Sequence, residues 1–489
     1  MASLTTFLIA IPALLVLSVV ASKGAGRFGI PALSVFLFVG LLVGAEGPGR
    51  LAFANDQFAQ TLGILALIAI LHAGGLGTSL EDVRAVRGTA LVLSTIGVVV
   101  ATALVGAFAV VALRFDWLHG LLLGSAIAST DVAAVFTILR SRSVGLGGRI
   151  RPLLELESAL NDPMTVFLGV GLLRLIAHPG ASIWSLLPVF FIQMAVGTLA
   201  GIASGKVMRW AINGVSLEFE GLYPVFSVAL VVLTYGLADL VGGSGFLAVY
   251  VSGIVLGNTS YVHKRSLITF HDGIAWLMQI AMFLTMGLIA LPSELVGVAG
   301  AGVALAAFLV FVARPLSVLA CLTPFRCSIR EQLMVSWAGL RGAVPIVLAT
   351  YPLIAGIDGA RTIFNLVFFV VFISVLLQGT TIPIVARWLG VAAPMTPEVR
   401  YPIEFNPTVA TGNQLVEMVV PDGARVADCS LVELSLPERT LVVLIQRDGE
   451  MIVPGGGTVF QPHDRLLVLA PEEALPQIRA LITATSLSA

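Results

Sequence analysis

The stretch Arg151-Pro-Leu-Leu-Glu-Leu-Glu-Ser-Ala-Leu-Asn-Asp-Pro163 puts Glu155, Glu157, Ser158, Asn161 and Asp162 into what otherwise reads as a membrane-spanning helix. Arg151 and Pro152 read as its water-facing start, since proline at a first helical position loses no hydrogen bond. At a rise of about 1.5 Å per residue, Asp162 lies about 15 Å further in, close to the middle of a hydrocarbon layer about 30 Å thick. An ionisable group at that depth is a functional-site hypothesis by default. Helical spacing sorts the polar residues into two stripes. Ser158 and Asp162 share a face at i, i+4, with Glu155 seven residues before Asp162, whereas Glu157 and Asn161 form a second i, i+4 pair.

Two more apolar runs carry charge at depth: Ser129-Thr130-Asp131, and Ser336-Trp-Ala-Gly-Leu-Arg341-Gly-Ala-Val-Pro345. Asp131 and Asp162 are hard oxygen ligands suited to a monovalent cation, and the hydroxyls of Thr130 and Ser158 can complete a metal shell around Asp162. One carboxylate can hold either a proton or a cation, and competition at such a group is the simplest basis for exchange. Asp131 serves equally well as a cap for backbone N–H groups. An unpaired arginine at midplane costs at least about 2.5–3.5 kcal/mol, and an unpaired glutamate a similar amount. Glu157 is therefore expected to pair with Arg341 and to brace the two helices; direct work of Arg341 in anion binding or gating is the other reading. Glu155 either lines a cytoplasmic cation funnel or caps the helix entrance.

The elements that must position these residues are membrane spans. The chain has 489 residues, 57% hydrophobic and 11% charged, with a mean hydropathy of +1.00. Soluble domains carry roughly 25% charged residues, so the expected fold class is an all-α polytopic membrane protein. Apolar windows place thirteen spans near 4–22, 30–45, 58–79, 86–113, 117–139, 152–177, 183–212, 221–241, 243–259, 268–291, 297–323, 330–355 and 362–389. With the N-terminus outside, the inside loops hold fifteen Lys and Arg residues against four outside, which sends the C-terminus into the cytoplasm. Glycines and prolines in the fifth and twelfth spans (Gly124, Gly339, Gly342, Pro345) point to discontinuous helices in two inverted repeats, with end dipoles that Asp131 and Arg341 can neutralise.

Residues 1–390 thus form a transmembrane domain, 391–402 a proline-punctuated linker, and 403–489 a small cytoplasmic α+β domain. In the tail, 414–420, 440–446 and 465–469 read as strands, and 426–434 and 472–482 as short helices. The net charge of −1 says nothing about partners, and no basic run is long enough to suggest nucleic acid, so none is expected as a partner. Cys321, Cys327 and Cys429 have no metal or redox spacing and are expected to be reduced.

Ser129-Thr-Asp131, Glu157-Ser-x-x-Asn161-Asp162-Pro163 and Gly339-Leu-Arg341-Gly-Ala-Val-Pro345 resemble the NhaP-type monovalent cation:proton antiporters. The tail, with Gly449 following Arg447-Asp448, then Pro454 and His463-Asp464-Arg465-Leu-Leu-Val, resembles the TrkA-C type regulatory module, and the whole is similar to bacterial potassium/proton antiporters of the cell-volume-regulator kind. The resemblance implies a homodimer of thirteen-span protomers in the bacterial cytoplasmic membrane, with a dimerisation domain, a six-helix core and elevator-like alternating access. It implies that Asp162 is the ion and proton carboxylate, with Thr130 and Ser158 as ligands. Asn161 would bond near Thr130, Asp131 would orient the crossing, and Glu157 with Arg341 would form the structural ion pair. An Asn-Asp pair goes in that family with electroneutral exchange. Relatives carry an acidic residue in a third-span Phe-(Glu/Asp)-Gly-Gly motif, where this chain has Leu71-His72-Ala73-Gly74-Gly75. His72 there supplies either a pH-sensitive charge or helix packing.

The expected function is secondary antiport of H⁺ against K⁺, or Na⁺, with no cofactor beyond the transported ions and no enzymatic activity. A tail-regulated cation channel would need a carbonyl-lined filter loop that the sequence lacks, and an intramembrane aspartyl protease built on Asp131 and Asp162 leaves Arg341 unexplained. The tail reads either as a dimer-stabilising cap or as a site for a small-molecule, nucleotide-like effector.

Overall fold

The computed structural model describes residues 4–27, 31–51, 55–178, 180–215, 217–342, 344–394, 413–447 and 450–484. The chain divides into two compact units, Met1–Pro397 and Glu398–Ala489. Among the described residues the first unit contains thirteen apolar passes. In order they are Leu4–Arg27, Ala32–Val43, Asp56–Gly77, Leu80–Leu113, Trp117–Ser141, Ile150–Ala177, Ile183–Gly214, Leu222–Leu240, Gly245–Gly257, Lys264–Ile289, Pro292–Phe325, a twelfth in two halves (Ile329–Trp337 and Val344–Ala355), and Ala360–Trp388. The fifth is also interrupted, its halves being Trp117–Ala128 and Val132–Ser141. Long apolar runs become helices because a hydrocarbon layer offers the backbone no water, and interruptions survive only where protein surrounds them.

Passes two, three, seven, nine and ten pack on one another, and passes four, five, six, eleven, twelve and thirteen form a second group. The first group is held by backbone contacts that only glycine permits. A Cβ on Gly287 of the tenth pass would lie 2.8 Å from the Cα of Gly40 in the second, and one on Gly253 of the ninth would lie 3.1 Å from the Cα of Gly75 in the third and 2.7 Å from the His72 carbonyl oxygen. Passes two, three and four correspond to nine, ten and eleven, so each contact is the inverted-repeat image of the other.

The same symmetry reaches single hydrogen bonds. Asn258, just after the ninth pass, accepts from Leu80 N at 2.9 Å and so caps the start of the fourth pass. Glu46, just after the second, accepts from Ser293 N at 2.8 Å and from Ser293 Oγ at 2.5 Å, capping the start of the eleventh. The two caps lie at opposite ends of the bundle, and only Glu46 can titrate. The Ser293 hydroxyl, and then the Ser293 N–H, hold its carboxyl below the ordinary value, so this cap persists above that lowered value and is lost as the pH falls through it. The fourth and eleventh passes each contain a π-helical turn, at Leu93–Gly97 and Leu309–Ala313. The second of these precedes Arg314-Pro315 and accommodates a proline inside the pass.

Two short strands, β1 (Val144–Leu146) and β2 (Ala392–Pro394), pair antiparallel, so the start of the expected 391–402 linker is structured in the first unit; residues 395–402 lie outside the described residues. In the second unit β3 (Asn413–Val419), β4 (Leu441–Arg447), β5 (Glu450–Ile452) and β6 (Arg465–Pro471) form an antiparallel sheet in the order β3-β6-β4-β5. The helix Leu475–Thr483 contributes Ile478 and Ile482 to a core with Met418, Ile445, Phe460 and Val468. The segment 426–434, expected as a helix, is a chain of turns. Three of its N–H groups go to the segment across from it: Asp428 N to Phe460 O at 2.9 Å, Leu431 N to Thr458 O at 3.0 Å and Val432 N to Gly456 O at 3.0 Å. Arg447 grips the buried Asp464 with two hydrogen bonds of 2.9 and 2.7 Å; Asp448 and Gly449, part of the motif, lie outside the described residues.

Substituting Gly253→Ala should force the third and ninth passes apart and cost about 1–3 kcal/mol. Gly74→Ala, where a Cβ meets nothing within 4 Å, should leave stability unchanged. Thermal unfolding in detergent distinguishes them; equal melting temperatures would refute the close-contact account.

Candidate functional site

The two interrupted passes cross at their breaks, and the crossing is closed by one backbone hydrogen bond, from Asp131 N to Leu340 O at 2.7 Å. Each break leaves helix ends whose partial charges need partners. The first half of the fifth pass ends with the carbonyls of Ala128 and Ser129, and Arg341 Nη1 donates to both, at 2.5 and 2.7 Å. The second half begins beside Asp131, whose Oδ1 accepts from Ala134 N at 3.0 Å. Arg341 thus answers a negative helix end and Asp131 a positive one. The glycines follow from this: a Cβ on Gly342 would strike the Asp131 carboxylate, and one on Gly339 would lie 2.6 Å from Arg314 Nε. The thirteenth pass fixes the twelfth on both sides of its break. Ser374 Oγ accepts from Arg341 N at 3.0 Å, and Gln378 Nε2 donates to Trp337 O at 2.9 Å.

The sixth pass, Ile150–Ala177, runs alongside and delivers its polar stripes to the crossing. Asn161 Nδ2 donates to Thr130 Oγ1 at 2.6 Å and to Glu157 Oε1 at 3.0 Å. Thr130 Oγ1 donates to Glu157 Oε2 at 3.2 Å. Ser158 Oγ donates to Thr130 O at 2.8 Å and accepts from Val132 N at 3.2 Å. Asp162, 7% exposed, accepts at Oδ1 from Ser129 Oγ at 2.5 Å. Thr130, Asp131, Ser158, Asn161 and Asp162 are therefore gathered in one place. Glu155 lies nearer the helix start and pairs with Arg151 at 3.0 Å.

The expected pairing of Glu157 with Arg341 is not what the structure contains. Glu157 is gripped by Arg314 of the eleventh pass, Nη1 to Oε1 at 3.1 Å and Nη2 to Oε2 at 3.2 Å, with both side chains buried. The physical reason is competition for Arg341: the orphan carbonyls at the fifth-pass break take its Nη1, while the two-pronged carboxylate of Glu157 matches the fork of Arg314. Arg341 Nε and Nη2 and Arg314 Nε find no hydrogen-bond partner among the described residues. Arg314 escaped the sequence reading, although a charged residue followed by Pro315 inside an apolar run was its signal. Ser129, read only as part of a motif, contacts Asp162 directly. His72 is fully buried, edge-on to His271 at 4.8 Å between ring centres, and Ala73 is buried beside it.

A bundle in which two broken helices cross, with charged side chains on the break and a buried carboxylate next to it, is the architecture of a secondary antiporter working in the membrane. The transmembrane sodium/hydrogen exchanger family matches residues 13–388, and the TrkA-C domain matches residues 415–483. The K(+)/H(+) antiporter NhaP of Alkalimonas amylolytica is 36% identical over 493 residues, covering 100% of this chain and 85% of that protein. The K(+)/H(+) antiporter NhaP2 of Shewanella sp. (strain ANA-3) is 37% identical over 487 residues, 98% of this chain and 84% of that one. The sodium proton antiporter MjNhaP1 of Methanocaldococcus jannaschii, solved at pH 8, superposes with a TM-score of 0.67 at 25% identity, covering 77% of this chain and 100% of that chain. The chain belongs to the sodium/hydrogen exchanger family and is a multi-pass membrane antiporter that exchanges protons for monovalent cations.

Breaking a buried ion pair by removing one partner costs about 3–5 kcal/mol, so Arg314→Met should destabilise the protein by that order. A double-mutant cycle of Glu157→Gln with Arg314→Met should show coupling of about 1–3 kcal/mol, and the cycle with Arg341→Met markedly less. Coupling that is larger with Arg341 would overturn the assignment.

Proposed function

We propose that this protein is an electroneutral antiporter of the cytoplasmic membrane, exchanging one K⁺ for one H⁺ at Asp162, with Na⁺ as a second cargo. The observation that carries the reading is the difference between the carboxylates at the crossing. Glu157 is matched by Arg314, and Asp131 caps a helix start and lies at the crossing that also holds Arg341. Among the described residues the Asp162 carboxylate has only the neutral hydroxyl of Ser129. One carboxylate left uncompensated by a fixed charge asks for one monovalent positive charge, and a proton and a cation meet that need equally. Exchange of one for the other then moves no net charge.

The preference for K⁺ rests on the two full-length relatives named as K(+)/H(+) antiporters. The Lys and Arg distribution supports an outside N-terminus and a cytoplasmic tail. The two helix groups support alternating access, in which the group bearing passes four to six and eleven to thirteen moves against the other, and a homodimer built through the group bearing passes two, three, seven, nine and ten. The self-contained TrkA-C unit supports regulation by a small-molecule or nucleotide-like effector in the cytoplasm.

The test is transport by the full-length protein in vesicles, followed with a pH-gradient dye on addition of K⁺, Na⁺ or Li⁺. Asp162→Asn, permanently neutral, should abolish exchange with every ion, and the wild-type rate should be indifferent to an imposed membrane potential. Exchange that survives in Asp162→Asn would sink the assignment; a rate that follows the potential would refute the one-for-one stoichiometry.

A further inference from the structure

The hydroxyls of Ser129, Thr130 and Ser158 lie at the crossing beside Asp162, and their hydrogen bonds give them different capacities. A hydroxyl has one proton to donate and two lone pairs to offer. Thr130 Oγ1 donates to Glu157 and accepts from Asn161. Ser158 Oγ donates to the Thr130 carbonyl and accepts from Val132 N. Both are engaged in holding the fifth-pass break in shape, with one lone pair left on each. Ser129 Oγ donates to Asp162 Oδ1 at 2.5 Å, and among the described residues no donor reaches its oxygen.

The backbone of Ser129 is held as well. It is the first residue past the helical half Trp117–Ala128, in extended conformation at φ −62° and ψ 144°. Its carbonyl accepts from Arg341 Nη1 at 2.7 Å, and the residue is 1% exposed. The interruption of the fifth pass thus exists with Ser129 clamped at its edge and the hydroxyl directed at the transport carboxylate. Donation to a carboxylate polarises the O–H bond and makes the hydroxyl oxygen a stronger acceptor. A neutral oxygen of that kind beside a carboxylate suits a hard monovalent cation.

From this inventory we infer that Ser129 is a ligand of the transported cation and the residue that sets cation affinity, its lone pairs taking the ion while its O–H is directed at Asp162. This inference rests on Asp162 being the transport carboxylate. Thr130 and Ser158, expected from the sequence to be ligands, keep one lone pair each while they hold the shape of the break.

Full-length protein in vesicles tests it through the concentration dependence of exchange with K⁺ and with Tl⁺, a softer ion. Ser129→Ala should raise the KM for K⁺ about tenfold, the scale of one lost polar contact, with a smaller fall in maximum rate, and Ser129→Thr should restore the KM to within about threefold. Ser129→Cys replaces a hard oxygen by a soft sulfur, so the KM for K⁺ should rise while that for Tl⁺ stays near wild type. The Ser129→Cys variant keeps the proposal open to refutation if Ser129→Ala misfolds. An unchanged KM for K⁺ in Ser129→Ala, or equal KM changes for both ions in Ser129→Cys, would overturn the ligand role. Asp162→Asn tells the two readings apart: if it is inactive while Ser129→Ala keeps a wild-type KM, only the Ser129 proposal fails, and if it transports, the Asp162 reading falls.

Discussion

Interrupting a helix in the middle of a hydrocarbon layer creates a local problem that only protein can solve. The freed carbonyls and N–H groups have no water to turn to, and each such group left alone costs several kcal/mol. Here the solutions interlock. Arg341 comes from the break in the twelfth pass and binds the carbonyls freed in the fifth. Asp131 comes from the break in the fifth, caps the half-helix that follows, and through its N–H takes the Leu340 carbonyl freed in the twelfth. Neither break is tenable without the other. Gly342 belongs to the same bargain, because any side chain there would displace the Asp131 carboxylate.

Around that crossing the chain is braced by an ion pair that shares no atoms with it. Glu157 and Arg314 join the sixth pass to the eleventh, and Asn161 and Thr130 add further hydrogen bonds to the same carboxylate. Ser374 and Gln378 tie the twelfth pass to the thirteenth. Five of the six passes in this group are thereby linked through polar contacts at one depth, which favours motion of the group as a body over rearrangement within it. The other group is held by bare backbone contact at Gly40–Gly287 and Gly75–Gly253. Close glycine packing of this sort is a means of association open to helices in lipid, where the hydrophobic effect gives no drive.

The passes were legible in the sequence because the bilayer imposes one rule on every span, a long apolar run, and thirteen such runs could be read without any knowledge of contacts. The site was legible in part for the same reason: Asp162, Glu157, Asp131 and Arg341 are conspicuous against an apolar background. What helical spacing cannot tell is which helix lies opposite which face. Glu157 needed a cation at depth, and two arginines qualified, but only the three-dimensional arrangement decides that Arg341 is claimed by carbonyls and Arg314 remains for the glutamate. Residues 426–434 failed as a helix for a related reason, since three of their N–H groups bond to residues 456–460, and apolar periodicity carries no trace of such distant partners.

If Asp162 carries the exchange as proposed, the contrast between Glu157 and Asp162, five residues apart on one helix, separates bracing from transport. Were a guanidinium seated against Asp162 as Arg314 is against Glu157, the carboxylate would be permanently neutralised, and neither a proton nor a cation would gain by binding. A hydroxyl behaves differently: it satisfies a lone pair of the carboxylate, lowering the cost of the charged form, and leaves the charge itself uncancelled. On the proposed exchange, the site then tolerates its charged form while still demanding that some positive charge fill it. That balance depends on keeping both arginines engaged elsewhere, Arg314 by Glu157 and Arg341 by the ends of a broken helix. On the proposed role of Asp162, the crossing and the brace are conditions for transport chemistry as much as they are conditions for folding.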